Sequence, residues 1–202
     1  MLKLKERDNN KILKKILVYG RPGHGKSSFA SQYCKENGLK PIVLDIDDTN
    51  FTGDDIVELD MDNDLKTYNN VKKIIKDTIN SEYDTIIIDG LGSLLELLVS
   101  SAPGQKKFLD RAERFKTIFN ELKKSNKNLI FIGQEDCNMD SYTENLPNRS
   151  IITINSIVNE IYHCVLENNV FTHKTDKFRK ELNKEMNTVS KLNNPNKIKG
   201  KV

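Results

Sequence analysis

The segment from residue 16 to residue 28 constrains the fold of this chain more than any other. An apolar run, Ile16–Tyr19, leads directly into a loop of the pattern G-x-x-x-x-G-K-S. Glycines in this pattern let successive backbone N–H groups curve around a phosphate without Cβ clashes. Lys26 adds a cation, Ser27 adds a hydroxyl for Mg²⁺, and the helix that starts here directs its positive end at the phosphates. The predicted phosphate-binding residues are Gly20, Arg21, Pro22, Gly23, His24, Gly25, Lys26, Ser27 and Ser28.

Strand-like and helix-like segments alternate from residue 15 onward, which predicts an α/β fold with a largely parallel sheet and helices on both faces. The predicted strands are Ile16–Tyr19, Pro41–Asp45, Val57–Leu59, Asp84–Gly90, Asn128–Gly133, Glu160–Leu166 and Val170–His173, the last two as a hairpin. The predicted helices cover residues 27–37, 65–79, 91–100 and 108–122. Ser101–Gln105 and the long polar stretch Glu135–Asn155 are predicted as loops.

A carboxylate is predicted as the second half of the nucleotide site. The β-branched run before Asp89 reads as a fully buried strand, and this aspartate lies at its carboxyl end. A carboxylate in that position holds Mg²⁺ through water, opposite Ser27. The sequence therefore predicts ATP and Mg²⁺ as ligands, with Ser27 and Asp89 as the metal-binding residues.

Length, apolar content and charge limit the other classes of function. The 202 residues have room for one α/β domain. No apolar run approaches the roughly 18 residues of a membrane span, and the amino terminus lacks the apolar centre of a signal peptide, so we expect a cytoplasmic protein without membrane contact. We predict a basic arm at residues 1–15, a core at 16–182 and a basic flexible tail at 183–202. Such basic ends reach nucleic acid or an acidic partner, or are simply solvated.

In this order, the motifs resemble those of RecA-type ATPases, most closely the short phage-encoded RecA-like proteins of the Sak group, which act in single-strand annealing and recombination. The resemblance covers residues 15 to about 182. It rests on the phosphate loop, the aspartate-containing end of the second strand, the strand that ends in Asp89-Gly90, and the segment Phe131-Ile132-Gly133-Gln134. The phosphate loop is specific for nucleotide binding, whereas the last segment is the one that points to RecA-like proteins.

The resemblance implies a topology and a set of roles. The strand that ends at Gln134 would lie between the first strand and the strand that ends at Asp89. Lys26 and Ser27 would bind phosphate and Mg²⁺, and Asp89 would organise the metal. Gln134 would sense the γ-phosphate and lead into a DNA-contacting loop. The implied activity is a DNA-stimulated ATPase.

The resemblance leaves the general base open. RecA-like enzymes carry a glutamate just after the second strand to polarise the attacking water, whereas this chain has Asp47 at the matching position. Its side chain is one methylene shorter, so either hydrolysis is slow or Asp48 or Glu135 takes the role. A capping or solvated acid in an acidic loop is the alternative interpretation of Asp47.

Two segments would face single-stranded DNA in such a protein, Ser101–Lys107 and Glu135–Asn155. Phosphate contacts dominate affinity for single strands. The second segment holds four acids and a single cation, Arg149. Lys106, Lys107 and the basic ends would therefore supply much of the attraction.

The family also implies a homo-oligomer, either a ring or a filament, with ATP at the subunit interfaces. Lys177 and Arg179 lie where related short cores carry basic residues that reach a neighbouring subunit's γ-phosphate, and a surface helix is the alternative interpretation. A phage single-stranded-DNA-binding protein is a further expected partner, in the cytoplasm of a bacterial host.

Other functions fit the phosphate loop as well. A small phosphotransferase shares the loop and the size, but such enzymes use arginines to clamp a second phosphate-bearing substrate, and this chain has only Arg111, Arg114 and Arg149 between residues 22 and 178. A non-catalytic module that uses ATP to gate docking of a replication protein is the other alternative. Turnover that is lost on Lys26→Ala would count against that module.

Overall fold

The computed structural model describes residues 13–49, 51, 53–57, 59, 67–100, 107–138, 141–144 and 154–178. The strands are β1 Lys15–Gly20, β2 Pro41–Asp45, β3 Asp55–Ile56, β4 Thr85–Asp89, β5 Asn128–Asn138, β6 Ser141–Glu144, β7 Glu160–Glu167 and β8 Val170–Phe178. The helices are α1 Lys26–Glu36, α2 Tyr68–Ile79, α3 Leu91–Ser100 and α4 Lys107–Lys124. Outside the described residues lie 1–12 of the predicted arm, the predicted tail, Lys106, Arg149 and Arg179.

The strands form one sheet in the order β3-β2-β4-β5-β1-β7-β8. Every neighbouring pair from β3 to β7 is parallel, whereas β8 is antiparallel to β7 and β6 is antiparallel to the outer part of β5. The predicted α/β class is thus confirmed. The predicted position of β5, between β1 and β4, is also confirmed.

Alternating apolar side chains of the central strands build a core on each face of the sheet. In β1, Ile16 and Val18 belong to one buried cluster, and Leu17 and Tyr19 belong to the other. This is the two-residue period of a strand that is buried on both sides. Helix α1 packs on the first face, and α2, α3 and α4 pack on the second. The predicted helices on both faces are therefore confirmed, and each large apolar side chain buried there contributes about 1.5–3 kcal/mol.

Helix α2 and strand β3 begin at different residues from those predicted. Apolar spacing suggested a helix from Leu65, but α2 begins at Tyr68, because the Thr67 hydroxyl caps it by accepting a 3.2 Å hydrogen bond from the Asn70 N–H. The strand predicted at Val57–Leu59 lies at Asp55–Ile56, where the backbone pairs with β2. Apolar spacing encodes neither boundary, because a side-chain cap sets the start of α2 and pairing with β2 sets the position of β3.

The polar stretch after Gly133 is not the continuous loop that was predicted. Strand β5 continues to Asn138 and pairs with Ser141–Glu144, so the two segments form an antiparallel hairpin beyond the end of β1. Residues 154–157 form a short helical turn. The polar sequence gives no sign of this hairpin, because its strands are held by hydrogen bonds between their backbone groups. Such pairing does not require an apolar pattern.

Candidate functional site

Four parallel strands end at one edge of the sheet, around a cavity of about 610 Å³ that we call the phosphate cavity. Strand β1 leads into the glycine-rich loop, β2 into residues 46–49, β4 into α3, and β5 into its hairpin with β6. Ligands of open parallel sheets bind at this carboxyl edge. The topology brings Lys26, Ser27, Asp47, Asp89 and Gln134 to the wall of one cavity, although they are distant in sequence.

The glycine-rich loop ends at the amino terminus of α1. Gly25 is the N-cap residue and has left-handed backbone angles, φ 75° and ψ 21°, which glycine adopts without steric cost. The first helical hydrogen bond runs from the Phe29 N–H to the Gly25 carbonyl at 2.9 Å. The N–H groups between them have no acceptor within the helix, so together with the positive end of the helix dipole they favour an anion in the cavity.

Lys26 is the cation of the phosphate cavity. Its Nζ donates a 2.9 Å hydrogen bond to the Arg21 carbonyl across the loop. Burial lowers the pKa of Lys26, and the nearby carboxylates of Asp89, Asp47 and Glu135 partly oppose that shift. A partly buried ammonium gains from an anion at its side, so a bound phosphate would favour its charged form.

Ser27 and Asp89 form the centre of the expected Mg²⁺ site. The Ser27 hydroxyl donates a 2.7 Å hydrogen bond to Asp89 Oδ2, and the Thr49 hydroxyl lies 3.3 Å from the same oxygen. Burial raises the pKa of Asp89, and Asp45 and Asp47 raise it further, while the hydrogen bonds from Ser27 and Thr49 lower it. These hard oxygen atoms and this concentration of negative charge fit Mg²⁺, which prefers oxygen ligands and keeps several positions for phosphate and water.

Asp45 holds the segment that follows β2. Its carboxylate accepts hydrogen bonds from the Thr49 N–H at 3.0 and 3.1 Å and from the Thr49 hydroxyl at 3.1 Å. The Phe51 N–H lies 3.4 Å from the same carboxylate. This buried aspartate therefore fixes a turn that directs Asp47 and Thr49 toward Asp89.

Of the three candidates for general base, only Asp47 lies in the described wall of the phosphate cavity. Its carboxylate packs against Gly90, where an added Cβ would stand 2.6 Å from Asp47 Oδ1. Gly90 also has φ 92°, so both space and backbone angle require glycine there. Asp48 is exposed with φ 49°, and it does not contribute to the described wall.

Gln134 and Glu135 point to different surroundings, as successive residues of a strand do. Gln134 pairs in register with Gly20 and lines the phosphate cavity. The Glu135 side chain is only 2% exposed, and its Oε2 lies 3.2 Å from His163 Nε2. His163 in turn stacks on Tyr19, with ring centroids 4.5 Å apart. The Glu135 carboxylate therefore contacts β7, the strand next to β1, and is not part of the described wall of the phosphate cavity.

Most of the predicted phosphate-binding residues line the phosphate cavity, including Pro22, Gly23 and Ser28. Gly20, Arg21 and His24 are absent from its described wall. His24 is half-buried, with Nδ1 3.4 Å from the Cys164 carbonyl.

The residues of the wall that escaped prediction include Thr49, Glu96 and Phe171. Glu96 gave one signal, as the single charged residue of the apolar segment Leu91–Ser100. Thr49 and Phe171 gave no such signal, because only the folded chain brings Thr49 to Asp89 and Phe171 to Gly25.

The described residues also bear on membranes and metals. Among those residues, none of the helices has the length and apolar character to span a membrane. No group of three or more His, Cys, Asp or Glu side chains in the same part of the chain is arranged to hold a metal ion. The Ser27 and Asp89 oxygens would therefore need phosphate or water oxygens to complete an octahedral shell.

Comparisons with known proteins agree with this architecture. A family model described as AAA domain matches residues 13–202. No curated protein matches the chain. Among solved structures, the KaiC-like protein PH0186 of the hyperthermophilic archaeon Pyrococcus horikoshii OT3 is similar, with 14% identity, a TM-score of 0.52, and coverage of 82% of this chain and 79% of that one. The flagellar accessory protein FlaH of Methanocaldococcus jannaschii gives 15% identity, a TM-score of 0.47, and coverage of 81% and 78%.

The likeness to PH0186 concerns the fold alone at this identity. It supports the RecA-like core that the order of the motifs predicts. The family match extends over nearly the whole chain and includes every described element.

Proposed function

We propose that this chain, which belongs to an AAA domain family, hydrolyses ATP and couples the reaction to single-stranded DNA in phage recombination or single-strand annealing. The chain is a RecA-like P-loop ATPase domain. One observation carries the proposal: the wall of the cavity of about 610 Å³ brings together a cation and a hydroxyl from the start of α1, a carboxylate just after β2, a carboxylate at the end of β4, and an amide from β5. These residues are Lys26, Ser27, Asp47, Asp89 and Gln134.

The proposed reaction uses these groups for positioning and charge. Lys26 and the N–H groups of the loop hold the β- and γ-phosphates. Ser27 and Asp89 hold Mg²⁺, which when bound neutralises phosphate charge. Asp47 orients the attacking water, and Gln134 contacts the γ-phosphate. We expect turnover to be slow, because the side chain of Asp47 is one methylene shorter than the glutamate of RecA-like enzymes.

Coupling to DNA would run through β5. Gln134 lies in the cavity wall, and the strand continues from it into the hairpin with β6. A shift of Gln134 on loss of the γ-phosphate would therefore be transmitted along a continuous strand. The hairpin residues Glu135, Asp136 and Glu144 are acidic. Cations elsewhere in the chain, including Lys107 and the basic ends, would have to attract the DNA phosphates.

Assembly into a homo-oligomer with ATP at subunit interfaces is part of the proposal. The exposed apolar residues Leu166 and Phe171 pair in register near the tip of the β7–β8 hairpin, at one edge of the sheet. Apolar groups grouped in this way favour contact with another protein surface. Lys177 is in β8, so the alternative interpretation of a surface helix is wrong for that residue. A phage single-stranded-DNA-binding protein, in the host cytoplasm, is the proposed further partner.

Steady-state ATP hydrolysis with and without a single-stranded oligonucleotide tests the proposal, with Lys26→Ala as the blank. DNA-stimulated turnover that is absent from the variant is the expected result. Turnover that DNA leaves unchanged would contradict the coupling. Tight ATP binding with no turnover would instead support an ATP-gated docking module, and turnover only with a nucleoside or nucleotide acceptor would support a phosphotransferase.

A further inference from the structure

A second cavity, of about 450 Å³, adjoins the phosphate cavity. It lies between α1 and the β7–β8 hairpin, and we call it the aromatic cavity. Gly25, Ser28 and Phe171 line both cavities. A ligand with its phosphates on the loop can therefore extend past Phe171 into the second space without leaving the protein surface.

We propose that the aromatic cavity receives the purine base of the bound nucleotide and that Phe171 is the residue on which the base stacks. This inference rests on the proposed ATP-binding function. It adds a recognition element that the phosphate loop cannot provide, since the loop contacts only the phosphates.

Phe171 has the placement that stacking requires. Its side chain is 63% exposed, although it is a large apolar ring. The ring nevertheless rests on the phosphate loop, with Cδ1 3.1 Å from the position of a Cβ added at Gly25. An exposed aromatic face beside a phosphate site is suited to a nucleobase, because bases stack on aromatic side chains whatever their edge pattern.

The inner wall of the aromatic cavity is held in place by a buried carboxylate. Glu160 accepts hydrogen bonds from the hydroxyl groups of Tyr33, at 2.9 Å, and Tyr162, at 2.8 Å. Phe29 packs against Tyr162 and His173, with ring centroids 5.0 and 4.7 Å apart. The rings are therefore fixed before a ligand arrives, which lowers the entropic cost of binding.

The two cavities also differ in charge. Among the described residues that line the aromatic cavity, none is Lys or Arg. Its polar lining includes Thr172, His173 and Gln32, whose hydrogen-bonding groups suit the edges of a base, together with one carboxylate, that of Glu36. Phosphate is better matched to the first cavity, and a flat uncharged ring to the second.

The absence of Trp from the chain permits a direct test. Phe171→Trp would introduce a single fluorophore at the proposed stacking position. We expect ATP to quench its emission and inorganic tripolyphosphate to leave it unchanged. Val170→Trp is the matched control, because Val170 is 58% exposed and precedes Phe171 in β8, so its side chain points to the opposite face. Emission from that control should not respond to either ligand.

Binding constants complete the test. Phe171→Ala should weaken ATP binding about tenfold and leave tripolyphosphate binding unchanged, because only ATP has a base to stack. Val170→Ala should change neither. Equal weakening of both ligands, or unchanged ATP affinity in Phe171→Ala, would overturn the inference. So would equal quenching at positions 170 and 171, which would indicate a surface buried by protein association.

Failure of the inference is distinguishable from failure of the proposed function. If the unaltered protein bound neither ATP nor tripolyphosphate, nucleotide binding itself would be refuted, and the inference with it. If it bound both with equal affinity, the phosphate site would stand and the base site would not.

Discussion

The phosphate cavity and the aromatic cavity share three residues, but they differ in how the rest of each wall is assembled from the chain. The phosphate cavity is built on a continuous loop that holds Lys26 and Ser27, completed by strand ends. The aromatic cavity is built from α1 and from a hairpin whose Glu160 is 127 positions from its partner Tyr33. The first holds the cation Lys26, whereas the described lining of the second has aromatic rings, polar groups and one carboxylate, that of Glu36.

This difference shows how binding of a triphosphate and recognition of its base are separated in one molecule. Charge and backbone N–H groups act on phosphates wherever a loop of the correct pattern meets a helix. Stacking needs a ring at a defined distance from that loop, and only packing of the hairpin on α1 supplies it. Substitutions of residues that line only one cavity should therefore leave the other intact.

The largest effect is expected from Lys26→Ala, which should abolish ATP and tripolyphosphate binding alike. The loop would lose its cation while the ligand keeps its negative charge. Calorimetric titration measures both affinities. Lys35→Ala, on the exposed side of the same helix, is the control and should bind as the unaltered protein does. Retained tripolyphosphate binding in Lys26→Ala would break the assignment of this cavity to phosphates.

Asp47→Asn should reduce turnover about a thousandfold while leaving ATP affinity nearly unchanged, since a general base acts in the chemical step. Steady-state kinetics at saturating ATP provide the measurement. Asp48→Asn is the matched control, because Asp48 is exposed and asparagine tolerates its positive φ. If Glu135→Gln lost turnover and Asp47→Asn did not, the base would have to be assigned to β5.

Cys164, in the wall of the aromatic cavity, should react slowly with thiol reagents. Burial raises its pKa to about 11, and burial likewise raises the pKa of Cys34 to about 12. At pH 8 its thiolate fraction is then about a hundredfold below that of an unfolded cysteine, and it rises with pH up to the raised pKa.

Alkylation followed by mass spectrometry, which distinguishes Cys164 from the other two cysteines of the chain, Cys34 and Cys137, measures this protection. Bound ATP should slow the reaction further if the base covers the aromatic cavity. Labelling of the folded protein at the rate of the denatured protein would show that this wall is open to reagent.

The smallest effect is expected from Glu160→Gln. The amide would leave Lys14, whose Nζ lies 3.2 Å from the carboxylate, without its counter-ion. It would also be a weaker hydrogen-bond acceptor for the hydroxyl groups of Tyr33 and Tyr162. The free energy of unfolding should fall by about 2 kcal/mol, with tripolyphosphate affinity preserved. Urea denaturation measures the change.

The exposed pair of Glu167 and Lys174 offers the matched control for Glu160→Gln. Glu167→Gln should change stability by less than about 1 kcal/mol. Comparable losses in the two variants would mean that Glu160 does not hold the aromatic wall.

Much of the fold followed from local pattern. A continuous β-branched run identified β4, and an apolar run identified the inner part of β5, where Asn128–Gly133 is buried as expected. The polar sequence after Gly133 predicts a loop, but the folded chain forms a hairpin there, because backbone pairing stabilises it without an apolar period. The start of α2 was misplaced for a similar reason, because a threonine cap sets it.

The candidate site likewise contains residues that the sequence predicts and residues that it does not. Lys26, Ser27 and Asp89 could be identified because their positions follow a spacing imposed by phosphate geometry. Thr49 could not, because its contact with Asp89 depends on the turn that Asp45 holds. Phe171 could not either, because nothing in an exposed strand residue indicates which loop it will contact.

The sequence by itself determined the phosphate loop, the buried strands and the acid at the end of β4, because each depends on neighbours within a few residues. The tertiary structure decided which of Asp47, Asp48 and Glu135 reaches the cavity wall, and it placed an aromatic ring beside Gly25. The physical reason is that side-chain chemistry is local, whereas the distance between two chemical groups is set by how the whole sheet and its helices pack.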